Sequence, residues 1–266
     1  MTLIIGLKSD NCVLIGAEQE EAGYISKRSV TKLRLITTGR DWTVVVGGAG
    51  DAAVADNAMH TIEKNLQDVL AVNGQVLMDV TDSVLDEVHT KYIDKDRASE
   101  GISLIVGASC SDGLHLISTA KRVPQPQDRI AYAGIGGEIA VYFMDRLHET
   151  DADWTYTAKV AGFTLQQAIE SCRYCSGEAE IYVLQRHPNP RWRSLGTGDV
   201  PVEFVNHFQR AAVANHLRPF VEKCGGFEGV AGYSDEHHPA PISYEQADQK
   251  IKDILGVITK PEGRKP

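Results

Sequence analysis

Thr2 is the residue of this chain best placed to do chemistry, because it directly follows Met1 and opens onto an apolar run, Leu3-Ile4-Ile5-Gly6-Leu7. Trimming of a methionine ahead of a small residue would leave Thr2 carrying a hydroxyl and a primary amine together. An α-amine titrates near ~8, close enough to neutrality to act as the base for the hydroxyl beside it. The expectation is a mature chain whose first residue is its catalyst. A threonine in second place is by itself common and usually idle, so the reading depends on its company.

A second cluster that could do chemistry is Cys172-Arg-Tyr-Cys175. A zinc site built on it would need two further ligands, with Cys224, His237 and His238 as candidates. A redox pair would be expected at a helix start after a strand, whereas these cysteines fall at the end of a helical stretch. They are read as two small, partly buried side chains, and His237-His238 as a solvated loop. No cofactor and no metal is expected.

The elements that must position Thr2 are legible from periodicity. Its apolar run passes through Ser9-Asp10-Asn11 into residues 12–18, which predicts a hairpin. Further strand-like runs follow at residues 29–36 and 42–47. Ala52, Ala55, Met59, Ile62, Leu66 and Val69 recur at helical spacing, as do Val76, Val80, Val84, Leu85, Val88 and Tyr92. Residues 101–107 and 113–118 read as a hairpin across Ser111-Asp112, and residues 129–133 as another strand. Helices over 138–147 and 156–172 and a strand over 180–184 complete the pattern. This order predicts an α+β fold, a four-layer αββα sandwich of two stacked antiparallel sheets. Residues 1–184 would form this domain. Residues 185–266 would be a partly helical extension, with a turn at 187–190, helices near 202–224 and 245–257, and an unstructured end at 260–266.

Thr2, Glu18 closing the second strand, Lys32-Leu33 opening the next, and Gly47-Gly48-Ala49-Gly50-Asp51-Ala52 leading into a helix occur in an order that resembles the N-terminal-nucleophile hydrolases. The resemblance is specifically to the proteasome β-type family and its bacterial relatives. It is close as far as the helix after Ala52 and coarser from there to Leu184. It implies the same αββα sandwich and a threonine peptidase in which Thr2 Oγ attacks the amide and the Thr2 amine shuttles the proton. The Lys32 ammonium would disfavour protonation of that amine, and Glu18 would hold the lysine. The Gly47 N–H, at a glycine turn assisted by the following helix's dipole, would stabilise the oxyanion. Ser176, in Arg173-Tyr-Cys-Ser176-Gly177, matches the family's Ser-Gly.

Two positions depart from the family pattern. Ile135, in Gly134-Ile-Gly-Gly137, stands where the family has a serine, and Arg173 stands where it has an aspartate. An arginine there would hold the amine neutral by repulsion, in the manner of Lys32. The resemblance also places Val45 and Ala49 beside the substrate pocket, suggesting an apolar preference, and Glu21 near it, suggesting a basic one. Family members usually assemble into rings, often with an ATPase partner, so a homo-oligomer is expected; the chain itself carries no P-loop.

Composition narrows the alternatives. A net charge of -9 argues against nucleic acid or an anionic membrane as the main partner. No apolar run approaches the ~20 residues of a membrane span, and no signal sequence is evident, so a cytoplasmic protein is expected. Five cysteines, an odd number, argue against a disulfide framework. Two other functions fit the same fold: a catalytically inactive structural subunit, favoured by Ile135 and Arg173, and an amidohydrolase acting on a small amide.

Overall fold

The computed structural model describes residues 2–22, 27–37, 41–95, 101–120, 122–172, 174–186 and 192–195. Arg173, Cys224, His237, His238, the turn at 187–190 and the helices expected beyond residue 200 lie outside them, as does the side chain of Glu21.

One sheet contains β1 (Leu3–Lys8), β2 (Cys12–Glu18), β10 (Ile130–Gly134), β11 (Ala179–Gln185) and β12 (Trp192–Leu195) in the order β10-β1-β2-β11-β12. The other contains β5 (Leu33–Thr37), β6 (Thr43–Gly50), β7 (Ile102–Cys110), β8 (Gly113–Ala120) and β9 (Val123–Pro126), ordered β5-β6-β7-β8-β9. A small ribbon pairs β3 (Glu20–Ala22) with β4 (Lys27–Ser29). All these pairings are antiparallel. The prolines of β9 are tolerated because it is an edge strand.

Helices α1 (Ala52–Gln67) and α2 (Gly74–Val88) cover the second sheet. Helices α3 (Gly137–Leu147) and α4 (Trp154–Ser171) pack on the first sheet, on β10 and on β2 and β11 respectively. Four layers result, with one apolar core under α1 and α2 and another between the sheets. The latter contains Ile4, Val13, Ile15, Ala17, Leu33, Val45, Ala49, Ile105 and Leu116. The fold is the αββα sandwich expected from the order of elements.

The helical periods are shifted slightly from those read in the sequence. In α1 the buried stripe is Val54, Ala55, Ala58, Met59, Ile62 and Leu66, and Ala52 is exposed because it lies in the first turn. In α2 Leu77 and Thr81 join Val84, Leu85 and Val88 inside, and Val76 and Val80 flank them. A π-helical turn at His89–Ile93 continues α2 and brings Tyr92 against the core.

Candidate active site

The hairpin β1–β2 sets Leu3, the residue after Thr2, against Glu18, because Ile4 pairs with Ala17 and the next position on each strand lies at the same end. On the other side of β1, Leu3 pairs with Gly134 of β10. The Ile135 N–H donates to the Thr2 carbonyl at 3.0 Å. Gly134 is required there: its φ is +92°, and a Cβ would lie 1.8 Å from the Thr2 carbonyl oxygen. Thr2 is thus fixed by main-chain contacts and remains partly exposed.

Glu18 is fully buried, and its carboxylate accepts from the residue after Thr2, from the lysine and from the ribbon that follows β2. Oε1 accepts from the Leu3 N–H at 3.1 Å and from the Lys32 ammonium; Oε2 accepts from the Glu20 N–H at 2.9 Å. Lys32, only 7% exposed, also donates to the Glu20 carbonyl at 2.6 Å. One carboxylate oxygen therefore joins the lysine to the residue that follows Thr2. Burial of an ion pair is tolerable only with such full pairing, since an isolated charge would be strongly disfavoured.

The glycines of β6 act differently from the expected turn. β6 continues through Gly47 and Gly48 to Gly50, whose φ of +111° makes the actual bend before α1. Gly47 lies opposite Leu33, and a Cβ on it would come within 2.8 Å of both Ile4 and Leu33. Close packing between the sheets is thus a sufficient reason for glycine at 47. The period of two along β6 puts Val45 and Ala49 on the same inward face, where they are 0% and 3% exposed. Both belong to the apolar core between the sheets. The first-turn amides of α1 are also committed, because the Asp51 carboxylate accepts from Ala53 and Val54 at 3.1 and 3.2 Å. A negative cap there offsets the helix dipole that was expected to assist an oxyanion.

Ser176 reaches the same neighbourhood from the loop after α4. Its hydroxyl donates to Glu20 Oε1 at 2.5 Å, tying that loop to the ribbon whose backbone brackets Glu18 and Lys32. Glu20 escaped the sequence reading because this contact spans 156 residues. Cys175 was read as an inert half of a CxxC, yet it lies beside the site. It is buried, and its sulfur would be 2.8 Å from a Cβ on Gly136. Burial first, then the Cys172 thiol, then the Glu18 charge push the Cys175 thiol up, and Lys32 pulls it back in part. Such a thiol is protonated at neutral pH and is no nucleophile. Cys12, Cys110, Cys172 and Cys175 are all free. Ile135, 49% exposed, presents an apolar side chain where the family pattern has a serine.

Among the described residues no helix is long and apolar enough to cross a membrane. Several solved structures share the fold. A Gly-1 mutant of Anbu from Hyphomicrobium sp. strain MC1 matches with a TM-score of 0.68 at 15% identity, covering 89% of this chain and all (100%) of that one. Anbu, an ancestral beta-subunit, from Yersinia bercovieri matches at 0.66 and 13% identity, over 83% and 97% of the two chains. The Anbu complex of Pseudomonas aeruginosa, solved as a helical assembly, matches at 0.66 and 14% identity, over 83% and 96%. At these identities the likeness is one of fold. The sequence itself is matched over residues 2–184 by the family model for the proteasome subunit, and the chain belongs to that family.

Proposed function

We propose that this proteasome-family chain is an N-terminal threonine hydrolase that cleaves peptide bonds. The observation that carries the reading is the buried Lys32–Glu18 pair, joined through one carboxylate oxygen to the amide immediately after Thr2. Once Met1 is removed, the Thr2 amine takes the proton of Thr2 Oγ as the oxygen attacks the substrate carbonyl. The amine then passes that proton to the departing amine of the peptide, leaving an ester on Thr2. Water hydrolyses the ester by the same route. Lys32 places a positive charge near the amine and so favours its neutral, basic form, while Glu18 keeps the lysine in position. A backbone N–H, with Gly47 as the candidate, stabilises the oxyanion. Ser176 holds the ribbon around the pair through Glu20.

The chain functions as a homo-oligomer in this reading, in keeping with the helical assembly of the Pseudomonas aeruginosa Anbu complex. It acts in the cytoplasm, and a separate ATPase would have to supply unfolded substrate, as the chain has no nucleotide-binding motif. The test is turnover of a fluorogenic peptide library by the wild-type chain and by Thr2→Ala, with native mass measured in parallel. Cleavage by the wild type alone, from an oligomer, is the expected result. Equal cleavage by both chains, or none by either, would overturn the proposal.

A further inference from the structure

At the far end of the β7–β8 hairpin stands a group of side chains unconnected with Thr2. Cys110 closes β7, Asp112 sits in the turn, and His115 lies on β8. Antiparallel register pairs Cys110 with Gly113 and Ala108 with His115, so Cys110 and His115 project from the same face of the sheet as diagonal neighbours. Their ligand atoms and a carboxylate oxygen of Asp112 all lie within 4.8 Å of one another.

We propose that Cys110, Asp112 and His115 form a binding site for a borderline-soft divalent cation, zinc above all. The donor set is one sulfur, one oxygen and one nitrogen, each of a type that zinc accepts at about 2.0–2.3 Å in a tetrahedral shell. Such a shell puts its ligand atoms about 3.5 Å apart. The group therefore needs only a small closure of the thiol toward the other two and a slight opening of the His115–Asp112 contact, now 2.9 Å. A water supplies the fourth ligand from the solvent side, where Asp112 is 42% and His115 25% exposed.

The surroundings are shaped to hold these side chains. The Asp112 carboxylate is oriented by its second oxygen, Oδ2, which accepts from the Gly74 N–H at 3.0 Å. Gly74 admits the imidazole: a Cβ there would come 2.6 Å from His115 Cε1 and 2.7 Å from Nδ1. His115 also borders a cavity of about 150 Å³, walled by Lys8, Gln75, Met78, Gln127 and Asp128 among others, which gives it room to turn. Binding exchanges the Cys110 thiol proton, released to solvent, for the metal, so affinity rises with pH. On this account zinc cross-links β7, the turn and β8, while Asp112 links that hairpin to the start of α2 through the Gly74 N–H, a structural function separate from peptide hydrolysis.

The test is zinc titration of the full chain after dialysis against a chelator, followed by calorimetry, with cobalt(II) absorption on the same samples. One equivalent per chain and a thiolate-to-cobalt charge-transfer band are expected. Cys110→Ser and His115→Gln should each weaken binding by more than the ~10–100-fold that loss of an outer-shell partner costs. Cys172→Ser should leave binding unchanged, which separates this site from the other thiols. Zinc should also raise the melting temperature of the wild type and leave that of His115→Gln unmoved, a readout that holds even if Cys110→Ser misfolds. Failure of the wild type to bind zinc would overturn the site and reduce Asp112 and His115 to a tie onto α2. Binding that survives Cys110→Ser but disappears in Cys172→Ser would overturn it as well. Neither result touches the reading of Thr2.

Discussion

Two cations two residues apart, Lys32 and Arg34, meet carboxylates in opposite surroundings. Lys32 is buried against a Glu18 with no exposure at all. Arg34 spans the surface of β5 and α1, donating to Asp56 and Glu63 at 2.8 Å each, with Asp56 67% exposed. By ion-pair count the arginine looks the richer, with two carboxylates to the lysine's one. Solvent reverses the ranking: exposed pairs contribute little, whereas a buried pair cannot lose one member without stranding the other. The difference makes Lys32–Glu18 the pair on which the proposed site depends, and Arg34 surface trim.

Lys32→Ala should have the largest effect, destabilising the fold by ~3–5 kcal/mol in denaturant titration and abolishing peptide hydrolysis. Gly134→Ala tests the other support of Thr2. A forced positive φ costs about 1–3 kcal/mol, and displacement of the Thr2 carbonyl should remove activity in whatever fraction remains folded. Glu180 sharpens the contrast from a third direction, being a buried carboxylate without a cationic partner among the described residues. Burial pushes its carboxyl up, against hydrogen bonds from Tyr182 and Gln19. With its folded pKa raised, its favourable contribution is complete below the ordinary carboxyl range and is lost as pH rises through the folded value. Glu180→Gln should therefore raise the melting temperature at neutral pH, with the gain shrinking toward pH 4. Arg34→Ala should matter least, costing no more than ~1 kcal/mol and leaving hydrolysis intact. An Arg34→Ala loss as large as that of Lys32→Ala would erase the distinction.

How much of this was readable in advance follows from the range of each interaction. The β1–β2 and β7–β8 hairpins and helices α1 to α4 declare themselves through local periodicity and turn residues. Glu18 and Lys32 were recognisable through family order, and their pairing follows because a buried ammonium needs a carboxylate. Gly47 and Gly48 were misleading, since adjacent glycines suggest a turn; only the pairing of Gly47 with Leu33 and Ile105 and of Gly48 with Leu104 puts them inside a strand. Val45 and Ala49 are ambiguous for a different reason, since apolar character suits a pocket wall and a core equally well. Glu20 and Cys175 join the site through contacts between distant segments, for which no spacing rule exists. The Cys110-Ser-Asp-Gly-Leu-His115 run has no familiar ligand spacing, and its convergence depends on strand register.

The account rests on Thr2 acting as a free N-terminal nucleophile, and an intact-protein mass spectrum after incubation with a β-lactone probe tests this most directly. The expected spectrum shows the chain without Met1 and heavier by one lactone, the Thr2 oxygen having opened the ring to an ester, with no adduct on Thr2→Ala. A chain that retains Met1, or an adduct that persists in Thr2→Ala, would contradict it.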